Sequence, residues 1–137
     1  MNLANVMDEL GTKLDPIPGL RVKAYNADSV VPPVAIVSLP DGIDFDATYG
    51  RGSDSMTLVV DVLVGKVSDR KSRDAIARYA DGSGSHSVKQ ALDSSNTNTY
   101  QSCDAVTVAS VDFGVSDEAG IDYLAGRFTV NVTGSGS

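Results

Sequence analysis

The chain contains few of the residues from which small proteins build metal or ligand sites. Its 137 residues include no tryptophan, one cysteine, one histidine and only eight phenylalanines and tyrosines. A single cysteine excludes an internal disulfide, and a single histidine excludes a metal site with several histidine ligands. So few aromatic side chains also argue against an aromatic cage for a ligand. We therefore expect neither a disulfide scaffold nor a multi-histidine metal centre.

Basic residues and long apolar runs are also scarce. Eleven lysines and arginines against 18 acidic residues give a net charge of −7 and a pI near 4.4. A protein that binds nucleic acid through the phosphates needs a basic face, so the chain is not expected to bind DNA. This does not exclude a protein past which DNA moves. No apolar stretch approaches the roughly 20 residues that span a bilayer. The start lacks the features of a signal peptide, which predicts a protein made in the cytosol with no membrane partner.

Length and composition predict one packed domain. Hydrophobic residues make up 42% of the chain and charged residues 21%, which suits a globule with one core. We assign residues 1–133 to this domain and residues 134–137, a glycine–serine tail, to a mobile end.

The apolar spacing predicts the order αββββααββ. The first helix covers Leu3–Leu14, with Asn2 as its cap and a stop at Asp15-Pro16. A second helix, capped by Ser68, ends before Gly82, and a third, capped by Ser85 or Ser87, covers Val88 to Leu92. A mostly apolar run predicts a buried strand at Val34–Leu39. Period-two patterns predict strands at Leu20–Tyr25, Ile43–Tyr49, Met56–Val64, Val106–Phe113 and Asp122–Val132. Together these predict an α+β fold, with the N-terminal helix and the helix pair packed on a mostly antiparallel sheet of about six strands.

The candidate chemical motifs are weak. Ser68-x-x-Lys71 matches a hydrolase pattern, but its companion motifs are absent and helix capping explains it better. Asp44 and Asp46 share a predicted strand face, and with Asp61 across from them they form a candidate magnesium site. Solvated carboxylates are the commoner case. The sequence therefore predicts no enzyme and no cofactor.

Three further residue sets have ordinary structural explanations. Gly82-Ser-Gly84-Ser is loosely like a phosphate loop, but a helix end followed by a helix start accounts for it. His86 beside Ser85 or Ser87 lacks an identifiable acid that would orient it for catalysis. Cys103 is expected to be a small packed side chain.

Two surfaces are candidates for assembly. The first is a hairpin loop, Gly50–Asp54, whose candidate contact residues are Tyr49, Arg51 and Asp54; its alternative is an ordinary exposed turn. The second is the basic side of the second helix, which is either a solvated face or a subunit interface. Its residues are Arg70, Lys71, Arg73 and Arg78.

The segment from Phe45 to Leu92 also carries a family resemblance. Its DATYGRG hairpin, its strand ending in VLVGKVSDR and its YADGSGSxSVKxAL turn resemble the tail terminator proteins of long-tailed, siphovirus-type phages of actinobacteria. The chain start, MNLANVMDELGTKLDPIPGLRV, and the end, AGIDYLAGRFTVNVTG, fit as well, so the likeness covers nearly the whole chain.

The resemblance implies a structural virion protein at the head–tail junction, made in the cytoplasm of the bacterial host. Such a protein forms a ring, expected to contain six subunits, that caps the tail tube, ends its polymerisation and offers a surface to the head. The implied partners are further copies of itself, the major tail tube protein and a head-completion or stopper protein. DNA passes through without sequence-specific binding, and the candidate residues facing the channel are Asp44, Asp46 and Asp61. The alternative is another head–tail connector, a stopper or head-completion protein that binds the portal side.

Overall fold

A computed structural model describes residues 2–23, 33–38, 40, 42–44, 53–66, 70–95, 98–118 and 120–135. The elements follow the predicted order. They are α1 (Leu3–Leu14), β1 (Arg21–Lys23), β2 (Val34–Val37), β3 (Ile43–Asp44), β4 (Ser53–Lys66), α2 (Arg70–Tyr79), α3 (Val88–Leu92), β5 (Ala105–Glu118) and β6 (Ile121–Ser135).

One sheet organises the fold. Its main path has five strands in the order β1-β2-β4-β6-β5, and the two-residue β3 pairs with β4 off this path. β1 and β2 run parallel, and the other pairs are antiparallel. The predicted α+β class with a mostly antiparallel sheet is confirmed, and the main path holds five strands where about six were expected.

The predicted caps explain the helix bounds. Asn2 Oδ1 accepts a hydrogen bond from the Asn5 N–H at 3.1 Å, and α1 ends at Leu14 with Asp15 as its C-cap, immediately before proline. Ser87 is the cap of α3, since its Oγ accepts from the Gln90 N–H at 3.1 Å. Both helices have the predicted bounds because caps of this kind act within a few residues of the chain.

The core lies between the helices and one face of the sheet. Strand alternation sends the even-numbered side chains of β4 and β6 to this face, where they meet the apolar sides of α1, α2 and α3. Burying each leucine or valine there contributes about 1.5–3 kcal/mol. The fully buried residues include Leu10, Leu14, Leu58, Val60, Val62, Val88, Leu92, Val130 and Val132. The opposite face carries a small cluster of Val34, Ile36, Leu63 and Ala125.

The ends of the long strands differ from the prediction. β4 begins at Ser53 rather than Met56, since Ser53 and Asp54 pair with Ser135 and Gly134 of β6. Gly134 and Ser135, the first two residues of the predicted tail, are therefore part of β6. A ladder of backbone hydrogen bonds needs no apolar side chain, so hydrophobic alternation underestimates the length of both strands. Residues 136–137 and the predicted cap Ser68 lie outside the described residues.

A carboxylate on α1 holds the loop that leads into β5. Glu9 accepts hydrogen bonds from the Gln101 N–H at 3.0 Å, from the Ser102 N–H at 2.9 Å and from the Ser102 hydroxyl. Burial opposes ionisation of Glu9, but these hydrogen bonds outweigh it and hold its pKa below the ordinary 4.5. The ionised carboxylate is therefore the form that ties α1 to the start of β5.

Glu9→Gln is expected to lower the free energy of unfolding by about 1–2 kcal/mol near neutral pH. A folded-state pKa below the unfolded value adds stability above pH 4.5 and loses it as the pH falls through the folded pKa. The gap between variant and wild type should therefore close in acid, as followed by urea denaturation across pH. The exposed Asp8→Asn, on the same helix, is the control and should stay within about 0.5 kcal/mol. A gap that does not change with pH would contradict this role.

Candidate assembly surfaces

α2 is an amphipathic helix with a cationic outer side. Ser72, Ile76 and Tyr79 are buried against the sheet. The predicted basic residues Arg70, Lys71, Arg73 and Arg78 are all exposed. Arg73 makes an ion pair with Asp74 at 3.1 Å, but with 70% and 60% of these side chains exposed the pair adds little to stability. The outer side of α2 is thus cationic and exposed to solvent.

Two glycines let α2 lie close to the sheet. A Cβ atom added at Gly65 of β4 would overlap the Ser72 Oγ atom, and Gly65 has a φ of +153° that side chains rarely adopt. A Cβ at Gly126 of β6 would come within 2.9 Å of Ile76 Cδ1. The absence of side chains at both positions therefore sets how near α2 approaches β4 and β6.

A groove runs along one flank of α2, on the side of β1 and β2. Its volume is ≈ 470 Å³. Pro18, Val64 and Ala75 give it an apolar lining, and Lys71 and Arg78 are the charged residues among those that line it. We name this feature the α2 groove. An apolar depression bordered by cations fits a partner surface that combines apolar side chains with carboxylates.

The other edge of the sheet ends in an exposed hairpin. β6 pairs with β4 as far as Tyr123, which lies opposite Lys66. Beyond that point, among the described residues, β6 pairs with β5 alone, through Asp122 with Asp117 and Ile121 with Glu118. We name residues 112–122 the hairpin end. It holds the large exposed apolar side chains of the described structure, Phe113, Val115 and Ile121, with 59%, 60% and 40% of their surface accessible.

The face on which Phe113 lies follows from the strand register. Phe113 is opposite Gly126 and Val115 is opposite Leu124, and directly opposite residues share a face of the sheet. Since the Cα of Gly126 faces Ile76, Phe113 and Val115 lie on the face that carries α2. Gly126 has no side chain to cover Phe113, so the ring stays exposed.

β5 is an edge strand whose first half is covered. The Val108 N–H donates to Asp93 Oδ1 at 2.7 Å, and the Val106 N–H donates to Ser94 Oγ at 3.1 Å. The Ser94 N–H in turn donates to the Val106 carbonyl at 2.9 Å. Capping by side chains in this way keeps an edge from pairing with other chains. The structure gives this protection to the start of β5, whereas the exposed apolar side chains lie in its second half.

The predicted loop contact is only partly described. Tyr49 and Arg51 lie outside the described residues. Asp54 is 4% exposed and sits within β4 opposite Gly134, so its assignment to an exposed loop tip is wrong.

The predicted carboxylate set does not come together as expected. Asp44 pairs with Ser55, while Asp61 lies opposite Ile36 and Arg127. Ser55 and Asp61 are six residues apart on one strand, or roughly 20 Å at about 3.3 Å per residue, so the expectation that Asp61 lies across from Asp44 is wrong. Asp46 lies outside the described residues.

Asp61, one of the candidate channel residues, has a cationic partner. Its Oδ1 accepts from Arg127 Nε at 3.1 Å. Arg127 thereby offsets part of the negative charge of Asp61. Among the described residues, no group of three or more His, Cys, Asp or Glu side chains is placed to hold a metal ion.

The other candidate motifs have structural roles. The Ser85 hydroxyl lies 3.3 Å from Nδ1 of the neighbouring His86. The Ser87 hydroxyl caps α3 and donates to the Asp81 carbonyl, and the Gly84 N–H donates to Gln90 Oε1 at 2.9 Å. Cys103 is buried, and burial raises the pKa of its thiol to about 11. A thiol that stays protonated at neutral pH is a poor nucleophile.

Comparison with known proteins gives no assignment. A scan against protein-family models finds no match, and neither does a search of curated proteins. In the part of the chain that the structure describes, no helix is long and apolar enough to cross a membrane.

Sequence reasoning missed the hairpin end. Phe113 ends the predicted strand Val106–Phe113 and Val115 follows it, and nothing in this pattern marks either side chain as exposed. One signal was present in the sequence: residues 105–126 contain four carboxylates and no lysine or arginine. This stretch of the chain thus carries negative charge alone.

Proposed function

We propose that this protein is the tail terminator of a long-tailed actinobacteriophage, a subunit of a ring that caps the tail tube. The observation that carries the proposal is the hairpin end. Large apolar side chains exposed together, with acidic residues around them, mark a surface that another protein covers. The sequence resemblance supplies the kind of assembly in which such a surface is used.

The proposed mechanism is geometric, and no bond is made or broken. A closed ring presents one face that is complementary to the last ring of the tail tube. Its other face offers no site for another tube subunit, so polymerisation stops there and the head can join. Contacts around a ring of identical subunits require two different patches on each subunit.

The charge of the chain supports a conduit through which DNA moves. A net charge of −7 per subunit repels the phosphate backbone rather than holding it. A ring built from such subunits lets the genome slide through its hole without sequence-specific binding.

Removing the protein from the phage tests this function. Without the chain, tail tubes should grow past their normal length and fail to join filled heads, because nothing stops subunit addition. Supplying the wild-type chain from a plasmid should restore normal tails, as measured by electron microscopy of lysates. Tails of normal length that lack only heads would instead favour a connector on the portal side.

A further inference from the structure

The α2 groove and the hairpin end lie at opposite flanks of the subunit. The groove lies on the side of α2 that faces β1 and β2, and the hairpin end projects from β5 and β6 at the other edge of the sheet. One chain therefore cannot bring its own hairpin end into its own groove. Two copies can, and the same contact can then repeat from copy to copy.

The two surfaces are complementary in charge. The charged residues that line the groove are the cations Lys71 and Arg78, whereas the hairpin end has four carboxylates and no cation. Opposite charges placed in this way select the partner and its orientation and exclude contacts between like patches. A groove–groove or hairpin–hairpin contact would bring like charges together.

Two of the four carboxylates of the hairpin end lie on the face that docking requires. Asp117 and Asp122 are directly opposite each other, and alternation places Asp117 on the same face as Phe113 and Val115. Like charges directly across two strands destabilise the pair. A cationic partner at this point relieves that repulsion, and the two apolar side chains beside it match the apolar lining of the groove.

We infer that the hairpin end of one copy docks in the α2 groove of the next, so that Arg78 meets Asp122 while Phe113 and Val115 cover the apolar lining. The contact rests on the proposed function, since it is the one that closes the ring. It is heterologous and uses two different patches. Such contacts give a closed ring when the rotation between copies closes and a filament when it does not.

Charge exchange between the two surfaces tests the contact. Arg78→Glu and Asp122→Arg should each weaken self-association by about tenfold or more, because each replaces an attraction with a repulsion. The double variant restores opposite charges across the contact and should recover association to within about threefold of the wild type. Dilution series followed by mass photometry measure both effects, and circular dichroism checks that every variant is folded.

Mixing the two single variants gives a second readout. The groove of Arg78→Glu has lost its cation and accepts only the hairpin end of Asp122→Arg, whereas the unchanged groove of Asp122→Arg accepts only the unchanged hairpin end of Arg78→Glu. The two variants must therefore alternate around a ring, and the mixture should form rings with even numbers of subunits. Arg127→Glu is the matched control, since it makes the same charge change, but Arg127 is next to Gly126 along β6 and so lies on the face of the sheet away from α2, and it does not line the groove. It should leave self-association within about threefold of the wild type.

The outcomes separate this contact from the proposed function. Wild-type rings that cap tubes but tolerate Arg78→Glu and Asp122→Arg would overturn the contact and leave the terminator role standing. Charge-dependent rings that ignore tail tubes would support the contact and contradict the terminator role. A wild-type chain that stays monomeric at every soluble concentration, alone and with tubes, would overturn both.

Discussion

Replacing Gly65 by alanine is expected to lower the free energy of unfolding by roughly 2–4 kcal/mol. The backbone at Gly65 has a φ of +153°, and holding a side chain in so sparsely populated a conformation costs about 1–3 kcal/mol. The added Cβ also overlaps the Ser72 hydroxyl of α2, and overpacking of this kind costs about 1–3 kcal/mol. Urea denaturation of the purified chain measures the loss.

Two further variants show whether the cause is this contact. Gly82→Ala is the matched control, because Gly82 is exposed and has no atom within 4 Å of an added Cβ; it should stay within about 0.5 kcal/mol of the wild type. Adding Ser72→Ala to Gly65→Ala should recover the part of the loss that comes from overlap. Equal stabilities for the Gly65 and Gly82 variants would show that α2 does not depend on a bare backbone at this point.

Phe113→Ser with Val115→Ser is expected to weaken self-association by about 100-fold while the monomer stays folded. Each side chain is more than half exposed in the single chain, so its loss should cost at most about 1 kcal/mol of stability per position. Covering each in the contact contributes about 1.5 kcal/mol, and together these correspond to a factor of about 100. Analytical ultracentrifugation measures association, and thermal denaturation measures stability.

Ile121→Ser is the control on the same hairpin. Ile121 is also exposed, but it is one residue from Asp122 along β6 and its side chain therefore points to the opposite face of the sheet. Its replacement should leave self-association within about threefold of the wild type. If Ile121→Ser weakens association as much as the double serine variant, the contact lies on the other face and the docking in the α2 groove is wrong.

The helices could be predicted from the sequence because their signals are local. Asn2, Asp15-Pro16 and Ser87 act within one turn of the residues that they cap, and the apolar spacing of α1 is regular. The order of the strands along the chain followed for the same reason, since each strand has its own apolar pattern. The fold class then followed from the order of the elements.

The strand ends and the assembly surfaces could not be predicted in this way. β4 and β6 extend each other through backbone pairing, so Ser135 is held by Ser53, which is far away along the chain. Glu9 meets Ser102 and Asp93 covers the edge of β5 only after the chain has folded. Exposure is likewise a property of the whole fold, and for that reason the side chain of Phe113 could not be distinguished from a core residue.

The most direct test is electron microscopy of the wild-type chain mixed with tail tubes purified from a long-tailed actinobacteriophage that carries this sequence. Tubes prepared without the protein serve as the reference, and light scattering of the same sample gives its mass. A tail terminator should form closed rings, one at a single end of each tube, and should permit no further growth when tube subunits are added. A chain that forms no rings, leaves tube ends bare and permits continued growth would contradict the proposed function.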